Sequence, residues 1–187
     1  MTRAFWEDFY GGERRWSGKP NAALVEEVAD LEPGTALDLG CGEGGDAIWL
    51  AAQGWTVTAT DISQTALDIA ARHAAEAGVS VSWERHDLAE SQPAGRFDLV
   101  TTSFLHSKVE LPRAQILRAA AGAVASGGTL LIIGHAPSAE HHHAEHLPGP
   151  DEVIAELALP ADRWELEASE LRERGSRIDT VVRLRLR

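Results

Sequence analysis

Between Ala36 and Asp61 the chain concentrates the residue types from which a nucleoside site can be built. The run Gly40-Cys-Gly-Glu-Gly-Gly45 follows the short segment Ala36-Leu-Asp-Leu39, and Asp61 stands about 20 residues further on. Glycines just past a strand allow a tight turn and close approach of a ligand to the backbone. An acidic group ending the next strand accepts hydrogen bonds from ribose hydroxyls. Both features suit any adenosine-bearing cofactor, and charge separates the candidates. A dinucleotide pyrophosphate is anionic and prefers a helix N-terminus clear of carboxylates, whereas Asp38, Glu43 and Asp46 crowd this turn. Such a turn repels phosphate and accommodates a ligand carrying an ammonium group and a sulfonium centre.

S-adenosyl-L-methionine is a ligand of that kind; NAD is the alternative that the literal GxGxxG spacing leaves open. The loop needs a rigid frame, and the flanking pattern supplies one. Ala36-Leu-Asp-Leu39 reads as a first strand, followed by a helix at 46–52 that Gly54 closes. A second strand, 55–60, leads into Asp61, and Ser63 is placed to cap a helix in which Ala66, Leu67, Ile69 and Ala70 recur at helical spacing until Gly78. Residues 79–83 and 97–102 read as the third and fourth strands. Pro112 suits the first turn of a helix carrying Ile116, Leu117, Ala120 and Val124, which Gly127-Gly128 should end. The apolar run 129–133 lacks alternation, as expected of a parallel strand covered on both faces.

Strands alternating with helices imply βαβ units: an α/β, Rossmann-like, doubly wound and mostly parallel sheet. The expected order sets the ends of the first and fourth strands side by side at the switch point, where open α/β sheets bind ligands. Beyond it, 135–150 is polar, His-rich and Pro-bearing, so it reads as a loop or lid. A short helix at 151–158 and strands at 164–168 and 178–186 follow, the strands joined through Gly175 and Ser176 as an antiparallel hairpin that brings the sheet to seven. One domain over 1–187 is expected: an N-terminal helical and aromatic cap at 1–32, a cofactor-binding core at 33–134, and the loop, helix and hairpin at 135–187.

Taken together, Ala36-Leu-Asp-Leu-Gly-Cys-Gly-Glu-Gly44, Thr60-Asp61-Ile62-Ser63, Arg85-His-Asp-Leu88, Phe97-Asp-Leu-Val100 and Ser126-Gly-Gly-Thr-Leu130 stand in the order of the motifs of the class I S-adenosylmethionine-dependent methyltransferases, and the chain resembles that family over roughly 33–134. The stretch with Phe5, Trp6, Tyr10 and Trp16-Ser-Gly-Lys-Pro-Asn21 is similar to the small thiopurine- and tellurite-resistance-type members, in which such a segment folds over the cofactor. Trp6, Phe9 and Trp16 would equally serve to pack an N-terminal helix on the core. The resemblance implies S-adenosyl-L-methionine as cofactor, with Trp16, Asp38, Gly40, Cys41, Gly42, Asp61, Ile62, Asp87, Leu88 and Ser103 around it; Asp87 would approach the adenine amino group.

In methyl transfer the sulfonium is already an excellent leaving group, so alignment and exclusion of water are the main tasks. An amine, phenol or alcohol that arrives protonated would benefit from a base, and histidine suits that role. His106, in Thr101-Thr-Ser-Phe-Leu-His106 after the fourth strand, is the first candidate, with helix capping or packing as its other role; His135, after the fifth strand, is the second. Cys41 belongs to the glycine turn and is expected against cofactor backbone rather than as a nucleophile. His142 and His146, in Ala139-Glu-His-His-His-Ala-Glu-His146, would share a helical face and could hold a divalent ion. A solvated loop explains the same composition, so no metal is expected.

Bulk properties narrow the partners. A formal charge of −12 opposes general nucleic-acid binding, and Thr102-Ser-Phe-Leu105 stands where a flipped-base enzyme would carry Asn-Pro-Pro-Tyr. Arg183, Arg185 and Arg187 alternate with Val182, Leu184 and Leu186, the pattern of a strand with one wet face. One cysteine, no apolar run at the N-terminus of signal-peptide length and no segment of about 20 apolar residues point to a cytoplasmic chain without a membrane partner. A small-molecule methyl acceptor is expected. An NAD-dependent oxidoreductase and a non-catalytic cofactor- or metal-binding module are the competing readings; oligomeric state is open.

Overall fold

The computed structural model describes residues 2–11, 17–106, 111–136, 147–175 and 177–187. Its elements run α1 (Thr2–Tyr10), α2 (Ala22–Val28), β1 (Thr35–Leu39), α3 (Gly45–Ala52), β2 (Thr56–Asp61), α4 (Gln64–Ala77), β3 (Ser82–Arg85), β4 (Phe97–Ser103), α5 (Arg113–Gly122), β5 (Val124–His135), α6 (Pro150–Leu157), β6 (Trp164–Arg174) and β7 (Arg177–Leu186). The strands form a seven-stranded sheet in the order β3-β2-β1-β4-β5-β7-β6. The first five are parallel, and β7 runs antiparallel to both β5 and β6. The doubly wound order with a C-terminal hairpin is therefore observed, and β1 and β4 are neighbours as expected.

Period-two alternation sorts the core into two layers. Leu37 and Leu39 of β1 join Val100, Leu130, Ile132 and Val182 on the face covered by Leu117 of α5 and Leu157 of α6. Ala36, Leu99, Leu131, Ile133 and Val181 face Leu24 of α2 and Leu50 of α3. Asp38 shares the side of Ala36, so the pleat carries its carboxylate towards the N-terminal end of α3. Residues 129–133 are buried throughout, as a parallel strand covered on both faces requires.

Three boundaries differ from the sequence reading. The third strand begins at Ser82, not Val79, because Gly78 takes a left-handed conformation and the Val79 N–H donates to Ala74 O at 3.0 Å, spending those residues on closing α4. The helix α5 stops at Gly122, and Val124 is already strand, paired with Phe97; Gly127-Gly128 lie inside β5. Their composition reflects an irregular register beside β4: a Cβ on Gly128 would sit 2.9 Å from Asp98 O and 3.0 Å from Phe97 O. The strand β6 extends to Arg174 although its exposed edge shows no apolar alternation, because its pairing with β7 alone sustains it.

Arg183 corrects the wet-face reading of the last strand. Its side chain is only 12% exposed and reaches Glu27 O, Asp30 and Glu167, tying β7 to the end of α2 and to β6. Arg185 and Arg187 remain exposed. Among the described residues no helix is long and apolar enough to cross a membrane.

Candidate functional site

The glycine loop leaves the end of β1 and is pinned from beneath: Thr60 O accepts the N–H groups of Gly40 (2.8 Å) and Cys41 (3.0 Å). Gly40 adopts φ +75°, and a Cβ there would lie 2.9 Å from Cδ1 of Leu105, so the segment after β4 rides on the loop. Asp38 is 2% exposed and is drawn to the start of α3 by the Ala47 N–H. Burial, and then the charges of Asp46 and Asp61, push its carboxyl well above the ordinary range, while its Oδ2 has no protein partner. Asp46 is likewise raised by burial; the Asn21 N–H donates to its Oδ1 at 2.6 Å, and the Ser103 hydroxyl faces it without a well-aligned hydrogen bond.

Asp61 closes the other side of the loop. Gly42 N–H donates to Oδ2 and Ser63 N–H to Oδ1, each at 3.0 Å, and burial outweighs these bonds so that its carboxyl is also raised. Burial, then the Asp61 and Asp38 charges, push the Cys41 thiol far up, which keeps it protonated and removes it as a nucleophile. Ser63 caps α4 as expected, its Oγ accepting the Ala66 N–H at 3.2 Å.

Two residues that the sequence reading passed over complete this end of the sheet. Glu7 of α1 accepts the Ser63 hydroxyl and the Gln64 N–H at 2.9 Å each and the Thr65 N–H at 3.1 Å, so an acidic group from α1 meets the positive end of α4. Burial would raise this carboxyl, but hydrogen bonds from Thr65, Gln64 and Ser63 hold it at about 2. Asn21, from the stretch expected to fold over the cofactor, keeps a buried side-chain N–H2 group without an acceptor. Asn21 meets Asp46 from 25 positions away, a pairing that no local pattern signals, and Glu7 lies on an aromatic helix that reads as packing.

Ile62 is half-buried beside Asp61, and Asp87 and Leu88 follow β3 nearby in sequence: Asp87 accepts the Ala89 N–H at 3.0 Å, and Leu88 packs against the α5-side core. Trp16, His142 and His146 lie outside the described residues. Among the described residues no group of His, Cys, Asp and Glu is arranged to hold a metal ion.

The two histidines stand together at the ends of β4 and β5. The His135 N–H donates to His106 Nε2 at 3.0 Å, so the basic nitrogen of His106 is already engaged by main chain. The nitrogen through which His106 would act as the expected base is thus the one that holds the main chain of His135. His135 stacks on Phe104 (ring centroids 4.2 Å) and lies parallel to His106 (5.6 Å). Its Nδ1 is 3.5 Å from Oδ1 of Asp179, the residue directly across the β5–β7 pair. Asp179 is 1% exposed and receives Arg174 Nε on Oδ2 at 2.8 Å, and the Arg174 guanidinium lies 5.4 Å from the Phe104 ring centre.

Comparison with known proteins agrees with this fold. Residues 36–128 match the family model described as a methyltransferase domain. The ubiquinone biosynthesis O-methyltransferase of Pseudomonas paraeruginosa is 34% identical over 111 residues, covering 58% of this chain and 47% of that protein; the chain thus spans about half the length of the curated relatives it matches. A structure described under the conversion of a disulfide bond into a thioacetal group during echinomycin biosynthesis superposes with TM-score 0.79 and 26% identity, covering 100% of this chain and 93% of that one. TehB from Haemophilus influenzae shares the fold across 100% of this chain and 68% of its own, with TM-score 0.73 and 15% identity.

Proposed function

Because the chain belongs to the class I S-adenosylmethionine-dependent methyltransferases, we propose that it transfers the methyl group of S-adenosyl-L-methionine to a small-molecule acceptor. The observation that carries this reading is Asp38, a buried carboxylate beside two others, with one oxygen lacking any protein partner. Such a group is costly until a cation meets it, and the ammonium group of S-adenosyl-L-methionine supplies one. NAD would bring a pyrophosphate to the same three carboxylates.

Each residue then has a task. Asp38, supported by Asp46, takes the amino group; the Asn21 amide donates to the carboxylate at the same end. Gly40, Cys41 and Gly42 present backbone to the cofactor. Asp61 accepts the ribose hydroxyls while bracing the loop through Gly42, and Ile62, Asp87 and Leu88 border the adenine. Ser103 and the segment that follows it, laid across the glycine loop by Leu105, border the transfer point. S-adenosyl-L-methionine supplies an electrophilic methyl group on a neutral thioether leaving group, so the chain has only to align the acceptor and exclude water.

The test is to incubate the purified chain with methyl-labelled S-adenosyl-L-methionine and a panel of small phenols, alcohols, amines and thiols, reading S-adenosylhomocysteine release. Release that depends on an acceptor supports the reading. A chain that binds neither S-adenosyl-L-methionine nor S-adenosylhomocysteine contradicts it.

A further inference from the structure

The ends of β4, β5 and the β6–β7 hairpin bring together five side chains that cofactor binding does not use: Phe104, His106, His135, Arg174 and Asp179. The arrangement is built rather than incidental. Phe104 holds a left-handed φ of 56°, a conformation that costs a bulky side chain free energy and persists only where the surroundings impose it. Its ring stacks on His135, and the Arg174 guanidinium that holds Asp179 lies 5.4 Å from the ring centre. His106 accepts the His135 N–H, fixing the main chain from which the imidazole projects. Asp179 is set directly opposite His135 by the β5–β7 register and is buried with its two oxygens turned to Arg174 and His135.

A carboxylate at Nδ1 selects the tautomer in which that nitrogen carries hydrogen, which puts the basic lone pair on Nε2 and stabilises the imidazolium once it forms. At 3.5 Å the pair is an ion-pair contact and Nδ1 makes no hydrogen bond; catalytic hydrogen bonds are often long before a substrate is bound and tighten with it. We propose that His135, oriented by Asp179, is the general base of the transfer, and that the acceptor is therefore a hydroxyl or protonated nitrogen rather than an anion or a thioether.

The inference rests on the methyl-transfer reading above. As the acceptor oxygen or nitrogen forms its bond to the methyl carbon, the carbon–sulfur bond of the sulfonium breaks and its electron pair stays on sulfur as a thioether. The proton of the acceptor passes to Nε2 of His135. His106 and Asp179 are positioning residues. Among the described residues, the charged and titratable groups facing the imidazole include Asp179 of β7, Arg174 of β6 through that carboxylate, and His106 after β4. Leu105, which lies over Gly40, stands between Phe104 and His106 and so links this cluster to the glycine loop.

The experiment is a histidine side-chain NMR titration of the full chain with S-adenosylhomocysteine present, on the unaltered protein and on Asp179→Asn, accompanied by the labelled-methyl assay with a phenol and a primary amine as probes. The expected result is the Nδ1–H tautomer for neutral His135 and a downward shift of its midpoint in Asp179→Asn. For whichever probe is turned over, His135→Gln should lower the rate by about 100-fold or more with S-adenosyl-L-methionine affinity unchanged. An Nε2–H tautomer in the unaltered protein, which requires no variant to fold, overturns the proposal, as does an undiminished rate in His135→Gln. Failure of the unaltered chain to bind S-adenosylhomocysteine would instead strike the methyltransferase reading itself.

Discussion

Asp38 shows how one residue can serve function at the expense of stability. Its carboxyl, like those of Asp46 and Asp61, is raised, chiefly by burial. The folded chain therefore holds protons that the unfolded chain releases once pH exceeds the ordinary carboxylate range. Stability from this cluster is full below that range and is lost as pH rises through the elevated folded values. Asp38→Asn should raise the melting temperature of the ligand-free chain at neutral pH and flatten its fall with pH, while weakening S-adenosyl-L-methionine binding by tenfold or more; thermal melts across pH and a binding titration check both halves. Because the bound cation favours the ionised form, binding should also release protons, visible as a dependence of calorimetric heat on buffer ionisation enthalpy. Asp61→Ala removes two backbone bonds as well as the proposed ribose acceptor, and at about 1.5–3 kcal/mol for a hydrogen bond to a charged group its affinity should fall at least tenfold. The type and spacing of Asp38 and Asp61 were legible in sequence because strand, loop and strand are contiguous. Asn21 and Glu7 were not, since their partners Asp46 and Ser63 lie far along the chain.

At the scale of elements, a carboxylate of α1 is hydrogen-bonded to the start of α4. Glu7 is depressed to about 2, so its contribution is present above the ordinary glutamate value of about 4.5 and is lost as pH falls towards 2. Glu7→Gln should speed hydrogen exchange in α1 without disturbing β1 or β4, and acidification should release α1 in the unaltered chain but change little in the variant. Ser63→Ala removes the helix cap and one donor to Glu7, costing about 1 kcal/mol or more in stability, measurable by denaturant unfolding. Helix starts and the hairpin could be read from Ser63, Pro112 and Gly175 because capping and turn chemistry is local. The start of β5 and the full length of β6 could not, because Gly128 answers to the backbone of β4 and the polar residues of β6 to the register of β7.

The whole molecule places its chemistry where the parallel strands end. The glycine loop, the β4 end and the β5 end come from three crossovers, and the antiparallel hairpin returns Arg174 and Asp179 to the same edge. That return was invisible in sequence, since 39 to 44 residues separate His135 from the two hairpin side chains it meets, and only the seven-stranded order brings them back. The centre of β5 was legible because its burial on both faces writes itself as the apolar run 129–133. The central claim is that the acidic glycine loop selects a sulfonium amino acid over a dinucleotide, and calorimetric titration of the purified chain with S-adenosyl-L-methionine, S-adenosylhomocysteine and NAD in parallel tests it most directly. Binding of the first two without NAD is the predicted result; binding of NAD alone would contradict the assignment of Asp38 and the function built on it.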